Sequence, residues 1–268
     1  EWIGGENSGS NERFKGELDR LKIYSKALNN SQIKTLYNSG SWRIGTVTDE
    51  DDPSKVAEFS FQHQNSSHVL DTSSYNNHGK RMNGVGQESA VDCKVGRCYS
   101  FDGSDDYIEV DSTSELPVDD ESWTASFWIY PRSGMQGSNR NGWVLWRGSG
   151  PEDTLLSVGA EGNDWEIAHW SNDWDTNVDI EFNEWQHISV VYNSSIPDGQ
   201  DDEFVYKNRL LANSQEAGNL SLLDENLYIG RANDGDNPAD AKIDQVKIFN
   251  RSLSQQEIIE ETQGLEGS

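Results

Sequence analysis

Hydrophobic and polar residues alternate over short runs in this chain, and turn formers fill the gaps. In SWTASFWIY (122–130), Trp123, Ala125, Phe127 and Ile129 share one face, and Thr124, Ser126, Trp128 and Tyr130 share the other. HISVVY (187–192) puts Ile188, Val190 and Tyr192 on one side. Tyr107-Ile108-Glu109-Val110, Phe204-Val205-Tyr206 and Leu227-Tyr228-Ile229 are further predicted strands. Many short strands separated by regular Gly, Asn, Asp and Ser turns indicate an all-β sandwich or barrel. One helix is predicted near the C-terminus. Ser254-Gln255-Gln256-Glu257 has the form of a capping box, and Ile258 is the expected buried anchor.

The pattern also repeats. LDRLKIYSKALNNSQI (18–33) matches IDQVKIFNRSLSQQEI (243–258) at a constant offset, with Asp19 on Asp244, Lys22 on Lys247 and Ile33 on Ile258. Self-similarity at a fixed spacing marks tandem units. The chain therefore divides into the end of one copy (1–40), an acidic linker (41–54) and one complete copy (55–264), with neighbouring repeats of the same protein as expected partners. A segment the size of 1–40 cannot bury a core alone, because below about 40 residues a chain usually needs a metal, disulfides or a partner.

Composition narrows the function. Asp and Glu number 47 against 21 Lys and Arg, for a net charge of −26. Nucleic-acid binding needs a basic footprint and is excluded as an expectation. The acidic residues are spread along the chain, which fits a salt-adapted, halophilic microbe. At about 1 M salt the Debye length falls to ~3 Å, so self-repulsion is screened while solubility is kept. An ordinary acidic extracellular module is the other reading. No stretch reaches the ~18 apolar residues that span a bilayer, so this segment is expected not to insert in a membrane.

Cys93 and Cys98 sit in DCKVGRC, with Gly96 between them. The spacing suits a cross-linked hairpin worth only ~2 kcal/mol in the chain-entropy account; two free buried thiols are the alternative. A disulfide implies a secreted or cell-surface location. Five Asn-x-Ser/Thr sequons, at Asn29, Asn65, Asn193, Asn219 and Asn250, fit the same exported surface.

Five segments resemble one family in the right order. They are LDTSSYNNHG (70–79), VGRCYSFDGSDDYIEV (95–110), SWTASFWIYP (122–131), EWQHISVVYN (184–193) and KIDQVKIFNRSLSQQEI (242–258). Together they resemble the laminin-G-like, concanavalin A-like jelly-roll modules, a broad class that includes pentraxin-like and microbial surface repeats. Ser74 stands where that class usually has Gly, and Lys207-Asn208-Arg209 replaces its usual Asn-Gly turn. The resemblance implies a two-sheet antiparallel jelly-roll sandwich with one short C-terminal helix. It also implies a structural Ca²⁺ joining the Asp-x-Ser turn to the closing strand, with Asp71, Asn76 or Asn77, and Asp244 as ligands beside backbone carbonyls. Asp244 is in phase with Val246 and Ile248 and so is expected to point inward, where a carboxylate is costly unless paired or metal-bound. The alternative is that Asp71 caps its own turn and Asp244 pairs with a base.

Ten tryptophans are many for this length. Trp123 and Trp165 are assigned to the core, Trp165 because it is in phase with Ile167. Trp170 and Trp174, flanked by Asn172 and Asp173, are the candidates for an exposed platform that meets sugar faces. Burial of these rings between sheets is the competing expectation.

Catalysis is not expected. Retaining glycosidases need two carboxyls ~5 Å apart, and no Glu-x-Asp-x-Glu strand pattern occurs. Asp164-Trp165-Glu166 is read with its acids on opposite faces, and no metalloprotease motif, nucleophile elbow or phosphate loop is present. The expected function is a non-catalytic carbohydrate-binding or adhesion module of a larger surface or secreted protein, with a glycan or surface glycoprotein as partner. A calcium-bound structural spacer in a stalk, or an ancillary binding domain of a glycoside hydrolase, are the alternatives.

Overall fold

The computed structural model describes residues 52–63, 67–135, 142–150, 153–170 and 172–262. The chain divides into two compact units, Glu1–Asn38 and Ser39–Ser268. The predicted remnant 1–40, most of the linker 41–54 and the sequon at Asn65 lie outside the described residues.

The described residues form two antiparallel sheets. The first runs β14 (Leu210–Gln215), β13 (Glu203–Lys207), β12 (Gln186–Tyr192), β7 (Trp123–Pro131), β16 (Asp240–Phe249), β5 (Tyr99–Asp102) and β4 (Gly86–Gln87), and β1 (Lys55–Phe59) also pairs with β16. The second runs β11 (Trp174–Asp179), β10 (Asp164–Ala168), β9 (Leu156–Glu161), β8 (Leu145–Arg147), β15 (Leu227–Ile229), β6 (Tyr107–Val110), β3 (Gly79–Met82) and β2 (His68–Val69). This is a sandwich, one of the two forms indicated by the alternating runs, with the jelly-roll architecture that the family resemblance implies.

The alternation positions the core. Trp123, Ala125, Phe127 and Ile129 of β7, with Ile188, Val190 and Tyr192 of β12, join the main apolar cluster between the sheets. Phe127 meets Trp165 from the second sheet edge-on, at 6.1 Å between ring centres. On the outward face, Thr124 Oγ1 of β7 accepts the Leu253 N–H at 3.0 Å, and Val191 of β12 packs beneath the helix α1 (Gln255–Thr262). Its capping box forms as expected: Glu257 accepts the Ser254 N–H at 2.8 Å, and the Glu257 N–H reaches Ser254 Oγ at 3.4 Å. Ile258 then packs with Val191, Tyr206, Phe249 and Leu253 against the outer face of the first sheet.

Two local features depart from simple alternation. The β13–β14 hairpin turns on Asn208 (φ 51°) and Arg209 (φ 73°), both left-handed as a two-residue primed turn requires. In β16, the register shifts between Asp244 and Lys247, with Gln245 at φ 51°. This bulge lies where β16 exchanges its edge neighbour β5 for β1.

Candidate functional site

That bulge corrects the phase of Asp244. Ile243 and Val246 both enter the core, and the extra residue between them takes up the phase change. Asp244 pairs across the sheet with Trp128, on the outward face, instead of following Val246 and Ile248 inward. It is nevertheless fully buried, because the 93–98 loop covers it. Cys93 and Cys98 are disulfide-bonded. Val95 N–H donates to Asp244 Oδ2 at 2.8 Å, and Lys94 Nζ stands 4.1 Å above the Trp128 ring. Burial raises the Asp244 carboxyl well above its usual range, against the opposing pull of N–H donors from Val95, Gln245 and Lys94.

Asp71 is occupied differently. Its Oδ1 accepts the Glu58 N–H at 2.7 Å and the Ser73 N–H at 2.9 Å. Its Oδ2 accepts Ser73 Oγ at 2.6 Å and the Asn77 N–H at 2.8 Å. A carboxylate has about four acceptor positions, and these bonds fill them. Asn77 spends its amide N–H on Val56 O at 2.8 Å, and Asn76 is exposed with its amide on Ser74 O. Asp71 thus fits the role of turn cap, while Asp244 is bonded from the 93–98 loop. Among the described residues, the acids that converge are Asp102, Asp105 and Asp106 at the β5–β6 turn, whose oxygens lie within 4.8 Å of one another. Burial and the neighbouring Asp102 raise the Asp106 carboxyl. The DGSDD run at 102–106 carries this cluster in the sequence, within the 95–110 segment that resembles the family.

The tryptophans separate by strand phase. Trp165 is fully buried and donates from Nε1 to Gln186 Oε1 at 3.2 Å. Trp174 opens β11, whose inward positions are Trp174, Thr176 and Val178; it pairs with Ile167 and joins the core. This corrects its assignment to an exposed platform. Trp143 lies flat over Gly159, where a Cβ would sit 2.4 Å from the indole, and packs with Trp146 in a second buried cluster.

Among the described tryptophans Trp170 is the exposed one, at 45%, in the β10–β11 turn. It holds φ 65°, a left-handed conformation that a bulky residue adopts only when its surroundings impose it. Those surroundings are explicit. The Trp170 N–H donates to Asp173 Oδ1 at 3.1 Å. Asn172 Nδ2 donates to Asp153 Oδ1 at 3.3 Å and Ala217 O at 3.2 Å. Three of the four nominated ligand-binding residues, Trp170, Asn172 and Asp173, thus meet at one turn, and Trp174 does not.

The acids of β10 also need correction. Asp164 and Glu166 are two residues apart and share the outward face, opposite Trp165 and Ile167. Burial and the charges of Asp175 and Asp179 raise the Asp164 carboxyl. Glu166 is closed from solvent.

The two antiparallel sheets make a jelly roll. The chain belongs to the concanavalin A-like lectin/glucanases superfamily: the Laminin_G_3 family matches residues 102–259. No curated protein matches the chain in sequence. Among solved structures, the chain is similar to domain 4 of AbnA, an extracellular arabinanase from Geobacillus stearothermophilus solved with arabinotriose. The two share 17% identity at a TM-score of 0.60, over 78% of this chain and 98% of that one. It is also similar to the binding domain of Paraclostridial Mosquitocidal Protein 1 (16% identity, TM-score 0.60, 76% of this chain and 51% of that one). The receptor-binding domain of botulinum neurotoxin D aligns at 16% identity and TM-score 0.57, over 78% of this chain and 52% of that one. The chain spans about half the length of these two toxin domains.

Proposed function

We propose that this chain is a non-catalytic carbohydrate-binding module of a larger secreted or cell-surface protein, and that Trp170 is its principal contact residue. The observation that carries the reading is the exposed indole at φ 65°, held by Asp173 while Asn172 is held by Asp153 and Ala217. A large apolar face on a fixed backbone meets a sugar ring at little entropy cost. The sugar-bound arabinanase domain supports the class of ligand. The burial of Glu166 supports the absence of catalysis, since a closed carboxyl cannot meet a glycosidic oxygen.

Trp174 favours a second reading. Its burial leaves one ring where two were expected, as a structural spacer would. A glycan array probed with the wild-type chain and with Trp170→Ala separates the two. The binding module retains a defined set of glycans, and W170A loses about 30-fold or more in affinity for them. A spacer binds none, and binding that survives W170A removes this surface from the account.

A further inference from the structure

The residue before Trp170 carries a second role. His169 is fully buried and bonded at both ring nitrogens: Nδ1 lies 2.7 Å from Leu155 O and Nε2 lies 2.9 Å from Glu203 Oε1. A carbonyl only accepts, and an ionised carboxylate only accepts. Against an ionised Glu203 both ring nitrogens donate, as an imidazolium does.

The ring ties three elements to one point. Leu155 leads into β9, Glu203 opens β13, and His169 immediately follows β10. Glu203 Oε2 is held in turn by Gln215 Nε2 at 3.0 Å. Its neighbour Asp202 accepts the Ala217 N–H at 2.7 Å, and the Ala217 carbonyl receives Asn172. Through the chain at 202–203 and 215–217, the His169–Glu203 pair is thus connected to Asn172 at the turn that carries Trp170.

We propose that His169, held as an imidazolium between Leu155 and Glu203, is the positioning residue that fixes the exposed Trp170, so that loss of its proton releases the indole. The functional consequence for ligand binding rests on the proposed role of Trp170; the coupling itself does not. Acidic groups dominate the surroundings: Glu203 from β13, Asp153 from the loop before β9, and Asp202 and Asp173 one step further out. Burial alone would lower the His169 pKa, but the Glu203 charge and both hydrogen bonds outweigh it and raise it to about 9. Trp170 is then fixed at neutral pH and released in mild alkali.

The test uses the intact chain labelled with 5-fluorotryptophan, the Trp170 resonance being assigned by Trp170→Phe. Ring ¹⁵N shifts of His169 and the Trp170 ¹⁹F shift are followed from pH 6 to 10. Both are expected to change with one midpoint near 9. Glu203→Gln removes the stabilising charge and is expected to lower that midpoint by about one unit or more. A merely structural histidine would give the Trp170 line only the small shift of a titrating sequence neighbour, without the line narrowing that release of the ring brings. A ring that titrates near pH 6.5, or a Trp170 line that does not narrow with its titration, overturns the proposal. If E203Q does not fold, the wild-type titration decides alone. Arabinotriose titrated into wild type and W170A tests the binding role separately, so failure of that role leaves the coupling standing or falling on its own spectra.

Discussion

Asp244 accepts the backbone N–H of Val95 at 2.8 Å and so ties the closing strand to the disulfide loop, 149 residues away in sequence. The carboxyl is buried and its pKa is raised, so ionising it opposes folding. Its contribution is fully present below the unfolded value near 3.8 and is lost as pH rises through the folded value. Asp244→Asn keeps an acceptor oxygen without a charge. It is expected to match or exceed the wild-type melting temperature at pH 8, whereas Asp244→Ala, which leaves the Val95 N–H unpaired, loses about 1–3 kcal/mol. Thermal melts at pH 5 and pH 8 check this; a D244N protein as weak as D244A at pH 8 would count against a neutral Asp244.

Asp71 makes the turn at 71–77 by accepting four hydrogen bonds, three of them from backbone N–H groups. Asp71→Ala is expected to cost about 2–4 kcal/mol, mainly through buried donors left unpaired. The cost is the same in calcium and in EGTA if the residue is a cap. Calorimetry in both buffers is the measurement, and a D71A defect confined to calcium buffer would restore a metal role for this residue.

His187 has the opposite problem to His169. Burial first, then the positive charges of Lys247, Arg209 and Lys94, depress its pKa to about 3. Between pH 6.5 and about 3 the unfolded chain takes up a proton that the folded chain refuses. Stability is therefore complete above pH 6.5 and falls by about 1.4 kcal/mol per unit as the pH drops through this range. His187→Gln cannot titrate and is expected to flatten that limb. Denaturant midpoints measured from pH 4 to 7 would show it, and parallel slopes for the two proteins would exclude the assignment.

The fold was legible where alternation was clean. β7 and β12 alternate over their whole length, and their inward residues are those that build the core. The capping box at Ser254 marked the helix start through local chemistry alone. The site was less legible, for three physical reasons. A bulge at Gln245 reverses strand phase, and period-2 counting cannot see it. β11 alternates buried and exposed positions, so the burial of Trp174 was readable from Thr176 and Val178, but the flanking Asn172 and Asp173 suggested an exposed platform. β14 could not be read at all from burial, because it is an edge strand with Leu210 and Leu211 exposed. The clamp around Trp170 joins residues from 153 to 217, and no local pattern announces a contact made by the topology.

Indole Nε1–H resonances of the ten tryptophans report directly on the binding surface. The measurement is their ¹H–¹⁵N spectrum during titration with the best-bound oligosaccharide from a glycan array. Trp170 is expected to shift progressively to saturation, while Trp165 and Trp174, packed in the core, stay in place. Saturable binding with Trp170 unmoved, or an array with no bound glycan, would contradict the assignment of this turn as a sugar site.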